Sequence, residues 1–190
     1  MRLLLASKSP RRRELLGQLG IPLTIVDVNV DERLSRQMPA HQVAEALATL
    51  KAEGYTGIID NDQVLVTADT VVVLDGQVLG KPHSHTEASA MLHQLSGRAH
   101  QVYTGVCLRS AQRTVSFTER TDVHFRTLTD TETLYYIDTF KPYDKAGSYG
   151  IQEWIGMVGI ERIEGCYYNV MGLPLARLYR ELTTLTPPLP

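Results

Sequence analysis

Residues 64–74 read VLVTADTVVVL, a near-continuous apolar run that holds a single carboxylate. A half-exposed strand alternates apolar and polar residues; a run this uniform is the pattern of a central strand buried on both faces. Around it, strand-like and helix-like stretches alternate, which indicates an α/β fold with a central mixed sheet. Asp69 stands in the middle of the run. An ionised carboxylate there is costly unless a cation or a metal compensates it. The other reading is a structural Asp that accepts backbone N–H groups at a strand break. The strand is expected to bend or end near Thr70, which would present the Asp69 carboxylate to a cleft.

A second constraint is LASKSPRRRELL, residues 5–16. A short apolar run, Leu3 to Ala6, stops at Ser7. Ser9 is suited to N-cap a helix with Pro10 at its first position, where a missing N–H costs nothing. Arg11, Arg12 and Arg13 fall in the first turn, before Leu15, Leu16 and Leu19, and Gly20 is the expected stop. Cations are disfavoured at a helix N-terminus, where the dipole is already positive. Their placement makes sense if an anion is to sit there. Strand, hydroxyl-bearing turn, helix N–H groups and arginines together look like a polyphosphate cradle. Standing alone, the stretch would read as a solvated basic helix start.

Along the rest of the chain, Leu23–Val30 alternates as a second strand and ends at Asp31, Glu32 and Arg33. Acids just past a strand end either line an α/β site or are solvated loop residues. Pro39–Glu53 is the clearest helix, with Val43, Ala46, Leu47 and Leu50 as its apolar stripe and Gly54 as its stop. Lys51, on the flank of that stripe, either snorkels to water or reaches over the core edge to a phosphate. Asp75-Gly76 is a two-residue hairpin turn whose return strand, Gln77–Leu79, leads into Gly80, Lys81 and Pro82. Gly80 permits close approach and Pro82 restricts the residue before it. Lys81 reads equally as a second phosphate ligand or a solvated turn lysine.

Ser84–Ser96 is an amphipathic helix with Ala88, Met91, Leu92 and Leu95 inward. His83, His85 and His93 lack metal-ligand spacing and read as surface residues. Gln101–Arg109 and Thr114–Arg126 are β-segments, and Thr129–Tyr136 is a helix capped by Thr129 or Asp130, with Tyr135 and Tyr136 as packing residues. Gly147 and Gly150 mark residues 143–152, YDKAGSYGIQ, as a mobile loop in which Asp144 and Lys145 pair locally. Gln152 is either a surface amide or a partner for the adjacent N–H and C=O on the edge of uracil or thymine. Ile160–Ile163 is a final strand. A closing helix has Pro174 near its start and Leu175, Leu178 and Leu182 buried; the tail TTLTPPLP cannot continue it.

At 190 residues, 43% apolar and 21% charged, the chain is one ordinary globular domain, 1–190. A net charge of −2 argues against nonspecific binding to nucleic acid or a membrane surface. Cys107 and Cys166 lack CxxC or metal spacing, so two reduced thiols in a cytosolic protein are expected. No stretch reads as a signal peptide or a membrane span, and the expected location is cytoplasmic.

Over nearly its whole length the sequence resembles the Maf-type nucleoside triphosphate pyrophosphatases. The resemblance is carried in order by LASKSPRRRELL (5–16), VDER (30–33), LATLKA (47–52), TADTVV (67–72), GKP (80–82), YDKAGSYGIQ (143–152) and NVMGLPL (169–175). It implies an elongated, two-lobed α/β fold with a cleft, similar to the inosine triphosphate pyrophosphatases. It implies that Ser7, Arg12, Lys51 and Lys81 grip a triphosphate, and that Glu32 and Asp69 hold a divalent cation, Mg²⁺ first and Mn²⁺ second. Asp69 would act as general base, with Glu32, Lys51 and Lys81 completing the catalytic set. Arg11, Thr70 and Gln152 match the branch acting on dTTP and UTP; the branch acting on 7-methylguanosine triphosphate has Trp, Gln and Glu there. The stretch around Trp154 departs from the pattern and would alter the rim of a base pocket. The implied role is removal of pyrimidine nucleotides, standard or modified, by a homodimer with no nucleic-acid or membrane partner. The reading from another class is a non-enzymatic, nucleotide-binding regulator of septum formation.

Overall fold

β1 (Arg2–Leu5) is paired in parallel with β2 (Leu23–Ile25) on one side and β3 (Gln63–Leu74) on the other, Leu3 lying opposite both Leu23 and Val64. The computed structural model describes residues 1–32 and 38–185. Arg33 and the tail residues 186–190 lie outside the described residues. The hydrogen-bonded strand order is β2-β1-β3-β5-β6-β7, with β4 (Gln77–Leu79) on β3, β5 at Ala99–Arg109, β6 at Thr114–Phe125 and β7 at Ile160–Glu164. Parallel and antiparallel pairs both occur, so the sheet is mixed as expected. The chain divides into two compact units, one of residues 1–69, 104–119 and 172 onward, the other of residues 70–103 and 120–171.

In the first unit α1 (Pro10–Gly17) begins as its sequence dictates, with Ser9 Oγ accepting from the Arg12 N–H at 3.4 Å. It ends at Gly17 with Gln18 as C-cap, short of Gly20, which turns the chain afterwards with φ at +69°. β2 stops at Ile25 rather than Val30. Its partner β1 is only four residues long, so the ladder runs out.

α2 (Ala40–Glu53) departs from the expected stripe. The buried residues are Ala44, Ala48 and Ala52, while Val43, Ala46, Leu47 and Leu50 are half-buried. The cause is close approach to β5. A Cβ on Gly105 would stand 2.2 Å from the Ala44 carbonyl carbon, so the helix can lie against this strand only across a glycine and a face of small residues. The buried Thr67 hydroxyl donates to the Ala48 carbonyl at 2.6 Å and fixes α2 along β3.

β3 is buried over its whole length except at Gln63, Asp69 and Thr70, which are half-buried. It continues through Thr70 as strand, so the expected end is absent. α7 (Leu175–Leu185) closes the unit with Leu178 and Leu182 buried and Leu175 half-buried.

In the second unit the end of β3 turns into β4 through Asp75 and Gly76, with φ of +50° and +77°, the positive pair a tight hairpin of this twist requires. α3 (His85–Leu95) starts at Ser84, whose hydroxyl accepts from Glu87 N–H at 3.1 Å. α4 (Asp130–Phe140) has a full capping box between Thr129 and Glu132. The core gathers Leu92, Leu95, Val102, Phe125, Tyr136, Ile137 and Tyr149. His83, His85 and His93 are exposed, and His93 pairs with Asp130 at 2.9 Å. Two short helices were not legible in the sequence: α5 (Trp154–Gly159) and α6 (Tyr167–Met171).

Candidate active site

Hydrogen bonding between Thr67 and Ala48 sets which residues of α2 and β3 face one another. Two residues along the strand, on the same face, comes Asp69; one turn along the helix comes Lys51. Their side chains meet, with Lys51 Nζ 2.6 Å from Asp69 Oδ1. Lys51 therefore does not snorkel to bulk water. Glu32 joins from the loop after β2, its Oε1 3.3 Å from the same ammonium. Lys51 and Asp69 are 16% and 17% exposed against 55% for Glu32, so the pair is sheltered while the second acid opens to solvent.

Arg12 brings α1 to this group. Its Nε donates to the Gly172 carbonyl at 2.8 Å, and Ser7 Oγ lies 3.5 Å from Nη1. Burial lowers the affinity of the guanidinium for its proton; Asp69 opposes that shift, Arg11 reinforces it, and Glu32 opposes it again. An arginine stays protonated regardless. Ser7, Arg12, Glu32, Lys51 and Asp69 are thus brought together within the first unit, and Arg11 is half-buried one residue before Arg12.

Thr70, Lys81 and Gln152 belong to the second unit. Lys81 is exposed, and the Gly80 carbonyl just before it accepts from Gly147 N–H at 3.0 Å. That bond ties the 143–152 segment to the lysine turn. The segment is not the irregular loop its glycines suggested. It forms two single helical turns, Pro142–Asp144 and Ala146–Ser148, and Lys145, Gly147, Ser148 and Tyr149 are buried. Asp144 and Lys145 do pair, at 2.8 Å. The Oε1 atom of Gln152 is buried with no hydrogen-bond partner among the described residues, as is Ser148 Oγ. Lys145, Glu153 and Tyr136 are linked between segments that meet only in the fold, so no local pattern marks them as a group.

No cluster of three or more His, Cys, Asp or Glu side chains among the described residues forms a ready-made metal cage. The donor set nevertheless fits Mg²⁺, which is commonly bound by one or two carboxylates with waters and substrate phosphates supplying the rest. Glu32 and Asp69 converge on one cationic partner, as two such ligands would.

An α/β sheet carrying a basic helix start beside a carboxylate–ammonium–carboxylate group has what a phosphate-handling site requires. Comparison with known proteins gives the family. The Maf-like protein family model matches residues 2–185, and the chain belongs to that family. It is 46% identical over 184 residues to a dTTP/UTP pyrophosphatase of Bacteroides thetaiotaomicron, covering 96% of this chain and 95% of the relative. It is 48% identical over 185 residues to the dTTP/UTP pyrophosphatase of Phocaeicola vulgatus, covering 97% and 96%. Among solved structures it is loosely similar to a dITP/XTP pyrophosphatase of Mycobacterium abscessus, with 14% identity and a TM-score of 0.46 over 99% of this chain and 100% of the other.

Proposed function

We propose that the chain hydrolyses dTTP and UTP to the nucleoside monophosphate and pyrophosphate. The observation that carries this reading is the shared contact of Lys51 with Asp69 and Glu32, 2.6 and 3.3 Å away. A partly sheltered carboxylate hydrogen-bonded to an ammonium is a base held in one orientation. Asp69 takes a proton from a water whose oxygen bonds to the α-phosphorus, while the bond from that phosphorus to the bridging oxygen breaks. The pyrophosphate group leaves with the electron pair. Arg12, the Ser7 hydroxyl and Lys51 hold the phosphates and stabilise the charge that builds on the leaving group; Lys81 adds to them in this reading. A divalent cation held by Glu32 and Asp69 would supply further stabilisation of that charge.

Arg11, Thr70 and Gln152 are assigned to base selection on the strength of the dTTP/UTP pyrophosphatases to which the chain is similar. A purely binding regulator leaves an acid planted in a buried strand without a use. Cytoplasmic residence and a homodimeric state belong to the same proposal. Among the described residues Cys107 and Cys166 are free thiols, and no helix is long and apolar enough to cross a membrane.

A panel of nucleoside triphosphates, incubated with Mg²⁺ or with chelator, tests the proposal when monophosphate, pyrophosphate and phosphate are separated. Equimolar pyrophosphate and monophosphate from dTTP and UTP, lost in chelator, is the expected result. Release of single phosphates, or preference for 7-methylguanosine triphosphate, overturns it.

A further inference from the structure

The second unit holds a sheltered ionic group that the chemistry at Asp69 does not use. Lys145 is 9% exposed, with Nζ 3.0 Å from Glu153 Oε1 and 2.8 Å from Asp144 Oδ1. The other Glu153 oxygen, Oε2, accepts a short hydrogen bond from the Tyr136 hydroxyl. That hydroxyl in turn accepts from the Gly150 N–H at 3.0 Å. A sheltered ion pair is an inefficient way to stabilise a loop, because an apolar pair of similar volume often does as well. What it supplies is one defined geometry.

The group surrounds Gln152. A Cβ on Gly150 would stand 3.0 Å from each of Gln152 Nε2, Glu153 Cδ and Lys145 Cε, so the three side chains converge on the space that glycine leaves open. The amide nitrogen of Gln152 and the Glu153 carboxyl carbon thus border the same small space, each 3.0 Å from that point. An amide turns readily about its last torsion, and a neighbouring carboxylate favours the orientation with –NH₂ on its side and the carbonyl on the other. That carbonyl oxygen is the buried atom with no partner among the described residues. A buried acceptor without a donor is unfavourable until one arrives.

We propose that Lys145, Glu153 and Tyr136 are positioning residues for base selection, locking the Gln152 amide so that its carbonyl oxygen accepts from the imide N–H of uracil or thymine. The proposal rests on the assignment of Gln152 to the base. Cytosine carries a bare nitrogen lone pair where uracil carries that N–H, so a locked carbonyl repels it. A turned amide would offer –NH₂ and admit it. The triad thus sets discrimination between UTP and CTP, not the rate of the phosphate chemistry.

The test is the ratio of kcat/KM for UTP over CTP in the full-length protein and in Lys145→Met, Glu153→Gln, Tyr136→Phe and Lys145→Arg. The first two should lower the ratio about tenfold, mainly through a higher KM for UTP. Lys145→Arg, which restores the charge, should keep most of the discrimination, and Tyr136→Phe, which removes one hydroxyl, should lower it less. A purely structural role would depress kcat for both nucleotides alike and leave the ratio unchanged; that result in folded variants overturns the proposal. The Gln152 side-chain amide signal in NMR of the protein without nucleotide, identified by its loss in Gln152→Ala, gives a second readout. It should shift and broaden in Lys145→Met and Glu153→Gln, and an unmoved signal overturns the positioning role alone. Equal use of UTP and CTP by the unaltered protein instead overturns the assignment of Gln152 to the base.

Discussion

The Lys51 ammonium stands 2.6 Å from Asp69 Oδ1 while Glu32 Oε1 lies 3.3 Å from the same nitrogen, so one cation serves two acids drawn from different segments. Replacing Lys51 by Met takes from the two carboxylates the ammonium they share, and with it the phosphate contact proposed for that lysine. Steady-state kinetics on dTTP should show kcat/KM lowered about 10²-fold, which is about 2.7 kcal/mol of lost transition-state stabilisation. A change under twofold would remove Lys51 from the site.

Arg12 Nε donates to the Gly172 carbonyl, 2.8 Å away, and Nη1 lies 3.5 Å from Ser7 Oγ, so the guanidinium is held in one orientation. Lysine keeps the charge and loses the fork. Arg12→Lys should raise KM for dTTP about tenfold and weaken inhibition by inorganic tripolyphosphate in parallel, with the melting temperature little changed. Unaltered tripolyphosphate inhibition would place the phosphates elsewhere.

Gly105 is where α2 meets the sheet, with 2.2 Å between an added Cβ and the Ala44 carbonyl carbon. That neighbour is backbone and cannot rotate aside. Gly105→Ala should destabilise the protein by about 3 kcal/mol, a drop of about 6–12 °C in melting temperature. Because α2 carries Lys51, turnover should fall even below the melting range. Calorimetry and an activity assay on one sample check both.

His100 is fully buried, with Nε2 2.7 Å from the Tyr149 hydroxyl and its ring stacked 5.5 Å from Phe125. Burial first, then the nearby His124, pushes it down from 6.5 to about 4, against a weaker opposing pull from Asp122. The unfolded chain therefore binds a proton that the folded one refuses between these values. Stability from this group is fully present above pH 6.5 and is lost as pH falls toward 4, by about 3 kcal/mol. Urea unfolding at pH 7 and pH 4.5 measures the loss, and His100→Gln should flatten the slope.

Much of this architecture is written locally. The uniform run around Asp69 makes β3 a central strand, Ser9-Pro10 starts α1, Asp75-Gly76 closes a hairpin, and Thr129 with Glu132 caps α4. Each signal acts within a few residues, so it can be read without the fold. α2 could not be oriented that way. Its larger residues suggested one stripe, whereas contact with Gly105 selects Ala44, Ala48 and Ala52, and no helical periodicity reports a glycine sixty residues downstream. The 143–152 segment misled for a similar reason. Its glycines signal flexibility, but Lys145 is held by Glu153, and Glu153 by Tyr136 from α4. Glu32 and Lys51 each have a solvated reading in isolation and are singled out by the family motifs, whereas the apolar run around Asp69 marks that residue by itself. Their meeting at one ammonium is a product of the fold.

Pyrophosphate release from dTTP by Asp69→Asn, measured beside the unaltered protein, decides whether Asp69 activates the attacking water. Asparagine keeps the shape and cannot take the proton. The expected rate is lower by about 10²–10⁴-fold with circular dichroism and melting temperature preserved. Near-normal pyrophosphate release from the folded variant would contradict it.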